Sequence, residues 1–256
     1  MFAAQPLLVS TLSYAGVLLF GAAVLSLIRP LRRLRIRSRR QALLLLPLAL
    51  LLGCAGGWWP WPERRAAGGG RLDVRLPAYQ FEELHETRVR ATPAAAFSAI
   101  RNVSAGEIRL YRALTWIRSP RLPWRTRRPS IMDPEWDQPI LDVATRGGFV
   151  WLANDPSSEA AVGAVVCCRG KRLRDAADFE RLTEPGFAKA AMNFRVEDVG
   201  GGYCRVTTET RVYATDAAAR RTFGMYWAFI YPGSALLRDG WLAAIKKRAE
   251  AGRSAA

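Results

Sequence analysis

The sequence is poor in histidine, cysteine and acidic residues. One histidine and four cysteines stand among 256 residues, and 22 acidic residues face 38 basic ones, for a formal net charge of +16. Four cysteines are too few for a disulfide framework, and the absence of C-x-x-C and His-rich spacings argues against zinc. No Ser-His-Asp, phosphate-cradling or dinucleotide-binding arrangement is visible. We therefore predict no metal, no cofactor and no catalytic residue.

Two of the four cysteines, Cys167 and Cys168, are neighbours in the chain. They end a predicted strand that runs from Ala160 to Cys168. Successive side chains of a strand point to opposite faces, so the sequence predicts that the two thiols lie apart.

The positive charge is concentrated near the start of the chain. Residues 1–71 carry ten arginines and one glutamate, which leaves +7 for residues 72–256. An excess of basic residues of this size suggests nucleic acid or anionic lipid as a binding partner. Because no zinc-finger, RNA-recognition or basic-zipper pattern is present, we predict no nucleic-acid partner.

Two long runs of uncharged residues on either side of the basic cluster explain it better than a nucleic-acid partner does. Phe2–Ile28 exceeds the ~20 residues needed to cross a bilayer, and Gln41–Pro62 ends in Trp58, Trp59 and Trp61, as membrane-interface aromatics do. Seven arginines lie between the runs, at 29–40. Since Arg-rich segments stay in the cytoplasm, residues 1–62 are predicted to form a transmembrane helical hairpin. We expect a multi-pass bacterial membrane protein with its large C-terminal domain outside the cytoplasm.

Two alternatives remain for this region. The Arg-rich segment, the apolar run and Leu51-Leu52-Gly53-Cys54 also resemble a bacterial lipoprotein signal, in which Cys54 would be lipidated. The other alternative is a soluble protein with a buried helical hairpin. The lipoprotein reading also places the large domain outside the cytoplasm.

The remaining chain is predicted to be a linker, 63–77, and one domain, 78–251. Its first strand covers Tyr79–Ala91, and Thr92-Pro93 starts a helix with Thr92 as N-cap. Ser104 to Glu107 fits a capping box that opens a second helix through about Ile117. The buried face of that helix is expected to carry Leu110, Leu114 and Ile117.

An irregular loop is predicted over 119–139, followed by strands at Phe149–Ala153 and Ala160–Cys168. Lys189–Val199 and Tyr203–Thr215 form the clearest hairpin, joined by three glycines. Asp216 then caps a long amphipathic helix that reaches Ala251. Because proline cannot continue a helix cleanly, we expect a break or kink near Pro232, with Ser234 recapping the second part.

This order of elements resembles the START/birch-allergen-like helix-grip superfamily, SRPBCC. The resemblance rests on Ala91–Phe97, where strand, proline and helix meet, and on Lys189–Val196 with Thr207–Val212 before the long helix. It covers about residues 78–250. It implies an α+β fold in which a curved antiparallel sheet grips the C-terminal helix around an apolar cavity. Members of the superfamily bind lipids, sterols and polyketides, and a few are cyclases or hydroxylase components.

The cavity that the resemblance implies should be lined from the first strand, the hairpin and the long helix. The predicted ligand-binding residues are Phe81, His85, Met192, Phe194, Thr208, Thr210, Trp227 and Ile230. His85 shares its strand phase with Phe81, so it is either a polar group at the cavity or a satisfied structural histidine. Glu82 and Glu86 have the opposite phase and should face solvent.

Three functions follow as hypotheses. The first is a membrane-tethered domain that binds a hydrophobic small molecule or lipid without transforming it. The second is a cyclase- or dehydratase-type enzyme that uses His85 as acid and base. The third is an interaction module whose cavity is filled by its own side chains. A polar cluster around His85 would favour the second over the first, and the cavity volume separates the third from both.

Overall fold

The computed structural model describes most of the chain, namely residues 4–29, 31–36, 38–66, 68–118, 131–132, 134–156 and 158–252. Most of the predicted irregular loop at 119–139 lies outside these residues. The chain divides into two compact units. One unit consists of Met1–Trp61 with Arg220–Pro232, and the other of Pro62–Ala219 with Gly233–Ala256.

Helices and short strands alternate in the described residues before a final strand pair and a long helix. The α-helices are α1 Ala4–Ile28, α2 Arg39–Gly53, α3 Ala55–Trp58, α4 Arg71–Arg75, α5 Pro93–Asn102, α6 Tyr111–Arg118, α7 Ile140–Arg146, α8 Ala176–Arg181 and α9 Ala217–Ala251. The strands are β1 Arg64–Arg65, β2 Ala78–Tyr79, β3 Phe81–Val89, β4 Val150–Asp155, β5 Glu159–Cys168, β6 Phe187–Gly200 and β7 Tyr203–Ala214. Two 3-10 turns cover Arg32–Leu34 and Ala105–Glu107.

The first unit contains the apolar helices. Within the described residues, α1 is the one helix that is long and apolar enough to cross a membrane, a test that a signal sequence also passes. Helix α2 has 15 residues and contains Pro47, so at 1.5 Å per residue it spans about 22 Å, short of the ~30 Å of a bilayer core. The second predicted crossing, Gln41–Pro62, is therefore not one continuous helix.

Close backbone approaches hold the first unit together. A Cβ atom on Gly16 of α1 would lie 2.2 Å from the backbone nitrogen of Gly53 in α2. A Cβ on Gly56 of α3 would lie 2.3 Å from the carbonyl oxygen of Gly224 in α9. The Tyr14 hydroxyl donates a hydrogen bond of 2.7 Å to the carbonyl of Phe229. The approaches at Gly16 and Gly56 need glycine, because any larger residue would force the backbones apart.

The second unit is built on a five-stranded antiparallel sheet in the order β3-β7-β6-β5-β4. Strands β6 and β7 pair antiparallel across the turn Gly200–Gly202, whose residues all have positive φ, so the predicted hairpin is confirmed. A separate pair joins β1 to β2. An antiparallel sheet and a long C-terminal helix confirm the predicted α+β class.

One face of this sheet, called here the inner face, carries Phe81, Met192 and Phe194 and packs against α9 from Gly233 onward. Phe194 and Trp241 lie with ring centroids 4.9 Å apart, and both are fully buried. Helix α5 completes this core with Phe97 and Ile100. As predicted, the Thr92 hydroxyl caps α5 by accepting from the Ala95 N–H.

The opposite, outer face is also covered. Leu72 of α4 and Phe179 of α8 pack with Leu152 of β4 in a second apolar cluster. The segment predicted as a linker, 63–77, contains β1 and α4. Its residue Leu76 is buried in the same cluster.

The second predicted helix differs from expectation. The capping box at Ser104 holds only the turn Ala105–Glu107, and α6 begins afterwards, because Leu110 adopts a left-handed φ of 61°. This restart rotates the helix, so that Leu110 and Ile117 are 57% and 68% exposed while Tyr111 and Thr115 are buried. The prediction of Leu110 and Ile117 as buried residues was wrong.

Helix α9 is not interrupted at Pro232. It runs continuously for 35 residues, and Ser234 does not recap it but donates its hydroxyl to Glu83 Oε2 at 2.7 Å. The Tyr14–Phe229 hydrogen bond lies one residue from the carbonyl that Pro232 leaves without its helical N–H. The predicted break at Pro232 and the recapping by Ser234 were therefore wrong, and a kink at Pro232 stays a prediction.

The two neighbouring cysteines are also placed differently from the prediction. The register of β5 against β6 shifts between Val165 and Cys167, and Cys168 has a φ of 75°. The two Sγ atoms are 2.8 Å apart. The alternation of a regular strand fails here because the backbone is irregular at these residues.

Candidate functional site

The structure places six of the eight predicted site residues on the inner face of the second unit. Cross-strand pairing aligns His85 with Thr208 and Thr208 with Phe194, and in the next row Thr210 with Met192. Phe81 lies opposite Val212. Trp227 and Ile230 belong to the first unit, where Trp227 stacks on Phe223, and their part in a shared cavity stays a prediction.

A chain of polar side chains crosses this apolar face at His85. Its Nδ1 lies 2.7 Å from Asp239 Oδ1 on α9, and its Nε2 lies 3.1 Å from Glu83 Oε1 on the same strand. The side chain of Glu83 is completely buried, whereas that of Asp239 is 66% exposed. His85 thus connects a carboxylate in the core to one at the surface.

Helix α9 contributes two further polar side chains to this cluster, Ser234 and Arg238, which lie about one helical turn apart. Ser234 donates to Glu83, and the Arg238 guanidinium contacts the sulfur of Met192. Thr210 pairs across the sheet with both Glu83 and Met192, so it lies between the two positions that α9 contacts. Among the described residues, neither the buried Thr210 Oγ1 nor Arg238 Nε has a hydrogen-bond partner.

The two basic groups have shifted pKa values. The hydrogen bond to Glu83 raises the pKa of His85, and the charges of Glu83 and Asp239 add to this effect although burial opposes it. Burial lowers the pKa of Arg238, and the Glu83 charge partly offsets this. The buried Glu83 carboxylate therefore favours the charged form of both His85 and Arg238.

Sequence reasoning missed four members of the cluster, namely Glu83, Ser234, Arg238 and Asp239. Glu83 has the same strand phase as Phe81 and His85, a signal that was available. Ser234, Arg238 and Trp241 are spaced i, i+4 and i+7, which places them on one helix face. A helix position alone could not identify which strand residue it meets.

The arrangement suits proton transfer and polar recognition better than nucleophilic attack. A histidine between two carboxylates can hold and release a proton. Ser234, however, donates to Glu83 and not to His85, so no serine–histidine nucleophile pair exists here. Thr208 also has a local partner, since its hydroxyl donates to the Asn193 carbonyl at 2.9 Å.

Two cavities, of about 300 and 390 Å³, lie on the outer face. Both are lined by Gly70 and Arg195, and none of the eight predicted site residues lines either cavity. The larger one borders Glu159, whose buried carboxylate accepts from Asn193 Nδ2 at 2.7 Å. The smaller one borders Arg211, which is paired with Asp73 at 2.6 Å. Both cavities are bordered by charged side chains and lie on the face opposite the predicted apolar cavity.

Comparisons with known proteins add little. No family model and no curated protein matches this chain. A similar solved structure is described as the crystal structure of Ara h 8.0201. It is 12% identical, the match covers 66% of this chain and 97% of that one, and the TM-score is 0.25. Values this low carry no conclusion about fold or function.

Proposed function

We propose that this chain is a membrane-tethered helix-grip domain that binds a hydrophobic small molecule or lipid on its inner face without transforming it. The observation that carries the proposal is the pair of buried, unpartnered polar atoms, Thr210 Oγ1 and Arg238 Nε. They lie in apolar surroundings that include Met192. Binding sites for small molecules are mostly apolar with a few convergent polar groups, which matches this composition.

The ligand's polar end would be received by these groups. Thr210 and Arg238 can both donate, so the ligand should present an acceptor such as a carbonyl or carboxylate oxygen. The apolar part would contact Phe194 and its neighbours. Trp241 already fills much of that space, so ligand entry requires α9 and the sheet to separate slightly.

Membrane tethering is supported by α1 and by the charge pattern. Helix α1 has the length and composition of a span, and the Arg-rich segment 29–40 follows it directly. We propose that α1 and the region of α2 and α3 form the predicted multi-pass hairpin, with the second unit outside the cytoplasm of a bacterial cell. The short α2 would then need α3 to complete its crossing.

Native mass spectrometry of the full-length chain in mild detergent tests ligand binding. We expect a hydrophobic molecule to remain bound to the wild type and to be depleted in Thr210→Val, which removes one donor. Thr207→Val is the matched control, because Thr207 lies on the outer face of the same strand. A protein without bound ligand, or equal retention in both variants, would refute the proposal.

A second candidate function is favoured by the Glu83–His85–Asp239 chain. A polar cluster around His85 is the feature expected of a cyclase- or dehydratase-type enzyme with His85 as acid and base. If the co-purifying molecule is converted over time by the wild type and not by His85→Gln, this candidate replaces the first. Retention without conversion favours binding alone.

A further inference from the structure

Cys167 and Cys168 end strand β5, where the sheet loses its regular register. The pairing of β5 with β6 shifts between Val165 and Cys167. The following Cys168 has a φ of 75°, in the left-handed region that residues other than glycine rarely adopt. Together these two irregularities turn neighbouring side chains toward each other.

The resulting thiol geometry is close to that of a bond. The two Sγ atoms are 2.8 Å apart, about 0.8 Å longer than a disulfide of ~2.05 Å. Cys168 is exposed and Cys167 is partly exposed, so an oxidant can reach both. Partial burial of the thiol and its hydrogen bond to Cys167 raise the pKa of Cys168 to about 12.

The other two cysteines have no such arrangement. Cys204 is fully buried and its Sγ contacts the Ala91 carbonyl at 2.9 Å. Cys54 belongs to the first unit, between α2 and α3. Among the cysteines that the structure describes, the pair at the end of β5 is therefore the candidate for oxidation to a disulfide.

We propose that Cys167 and Cys168 form a reversible vicinal disulfide, in exchange with a low-molecular-weight disulfide such as oxidised glutathione. One cysteine thiolate attacks the small disulfide, forms a mixed disulfide and releases one small thiolate. The second cysteine then attacks the mixed bond and releases the other. The two cysteines lose two protons and two electrons, and the small disulfide is reduced to two thiols.

This bond would be labile. Neighbouring Cα atoms are ~3.8 Å apart across a trans peptide, below the usual range of 4.4–6.8 Å for disulfides, so the closed ring is strained and easily reduced. Cys168 Sγ also lies 3.7 Å from the carbonyl of Ala219 in the first turn of α9. Oxidation removes the S–H donor from that contact, which places a redox-sensitive site beside the start of the long helix.

Tryptic peptide mapping of the full-length protein in detergent tests the proposal. Cleavage after arginine separates the cysteines, because Cys167 and Cys168 lie together in 147–169, Cys204 in 196–205 and Cys54 in 41–64. After treatment with oxidised glutathione and alkylation without reduction, we expect peptide 147–169 to have lost two hydrogens and to carry no alkyl group. Dithiothreitol should restore two alkylation sites.

Cys204→Ser is the matched control and should leave this result unchanged. Cys167→Ala or Cys168→Ala should leave one alkylatable or glutathionylated thiol in the peptide. Stable glutathionylation of the wild-type peptide, two alkyl groups after oxidation, or a bond between two protein molecules would each overturn the proposal. None of these readouts depends on ligand binding.

Discussion

At the residue scale, Thr208 and Thr210 show how two identical side chains on one face of one strand can have opposite energetic roles. The Thr208 hydroxyl donates to the Asn193 carbonyl, whereas Thr210 Oγ1 is buried without a partner among the described residues. A satisfied buried hydroxyl stabilises the fold modestly, and an unsatisfied one destabilises it. Such a cost is tolerated most readily where a ligand supplies the missing partner.

Valine substitutions at the two positions should therefore change stability in opposite directions. We expect Thr210→Val to raise the free energy of unfolding of the ligand-free protein by about 1 kcal/mol, because an unsatisfied hydroxyl becomes a methyl group. Thr208→Val should lower it by about 1 kcal/mol, because the Asn193 carbonyl loses its donor. Chemical denaturation in detergent measures both, and destabilisation by Thr210→Val would show that its hydroxyl is bonded.

His85 should make the stability of the protein depend on pH. Hydrogen bonds to Glu83 and Asp239 raise its pKa above the ordinary 6.5, so the folded state binds the proton more tightly than the unfolded state. The resulting stabilisation is complete below pH of about 6.5 and is lost as the pH rises through the raised pKa. His85→Gln should remove this part of the pH dependence.

Because His85 is the chain's only histidine, NMR of the untagged protein follows its ring directly. Glu83→Gln should lower the pKa of His85 more than Asp239→Asn, since Glu83 is buried and Asp239 is exposed to solvent that screens it. A folded-state pKa at or below that of a model histidine would contradict this assignment.

At the scale of elements, glycines decide how closely the helices of the first unit approach. Gly16 and Gly53 bring α1 and α2 into backbone contact, and Gly56 and Gly224 do the same for α3 and α9. Small residues at such positions allow close packing of apolar helices, in membranes as in soluble bundles. By contrast, a Cβ on Gly21 of α1 would meet no atom within 4 Å.

This contrast gives a matched pair of substitutions on α1. Gly16→Ala places its Cβ against the Gly53 backbone and should destabilise the unit by at least ~1–3 kcal/mol, as overpacking does. Gly21→Ala meets no neighbour and should be neutral or stabilising by up to ~1 kcal/mol through helix propensity. Thermal unfolding in detergent compares them, and equal effects would argue against close packing of α1 on α2.

At the scale of the whole molecule, the proposed topology places the second unit outside the cytoplasm. The proposal rests on an Arg-rich segment next to a helix that can cross a membrane. Arginine at a membrane centre costs roughly 2.5–3.5 kcal/mol, and Arg-rich segments are retained in the cytoplasm. The hairpin model therefore requires an even number of crossings before the second unit.

A reporter that is active only outside the cytoplasm, fused after Ala256, should be active in a bacterial host. Replacing the arginines of 29–40 by glutamine should weaken this preference, because the orienting charge is lost. Activity of a cytoplasmic reporter at the same fusion point would contradict the proposed location of the second unit outside the cytoplasm.

The mode of anchoring is tested at Cys54. If the helices tether the protein, Cys54→Ser should leave it in the membrane fraction after salt and carbonate washing. Release of the second unit by this substitution would instead favour lipidation at Cys54. Cys204→Ser, at a buried position of the second unit, controls for loss of a cysteine as such.

The sequence by itself determined the features that depend on local pattern and composition. Apolar runs predicted α1, and strand alternation with a glycine turn predicted the β6–β7 hairpin. Thr92 and Asp216 were identified as helix caps, and both accept the expected backbone N–H. These features follow from side-chain periodicity and from hydrogen bonds within a few residues, so they need no knowledge of distant contacts.

Only the tertiary structure decided which distant residues meet and where local rules fail. Glu83 and His85 contact Ser234 and Asp239 because the position of α9 along β3 brings these side chains together. No local sequence pattern specifies that position. Pro232 stays inside a helix, and α6 begins after Leu110 at an unexpected phase, because packing outweighs propensity. Cys167 and Cys168 come together because pairing with β6 shifts the register of their strand. Each outcome depends on non-local contacts, whose energies exceed the small local preferences that a sequence displays.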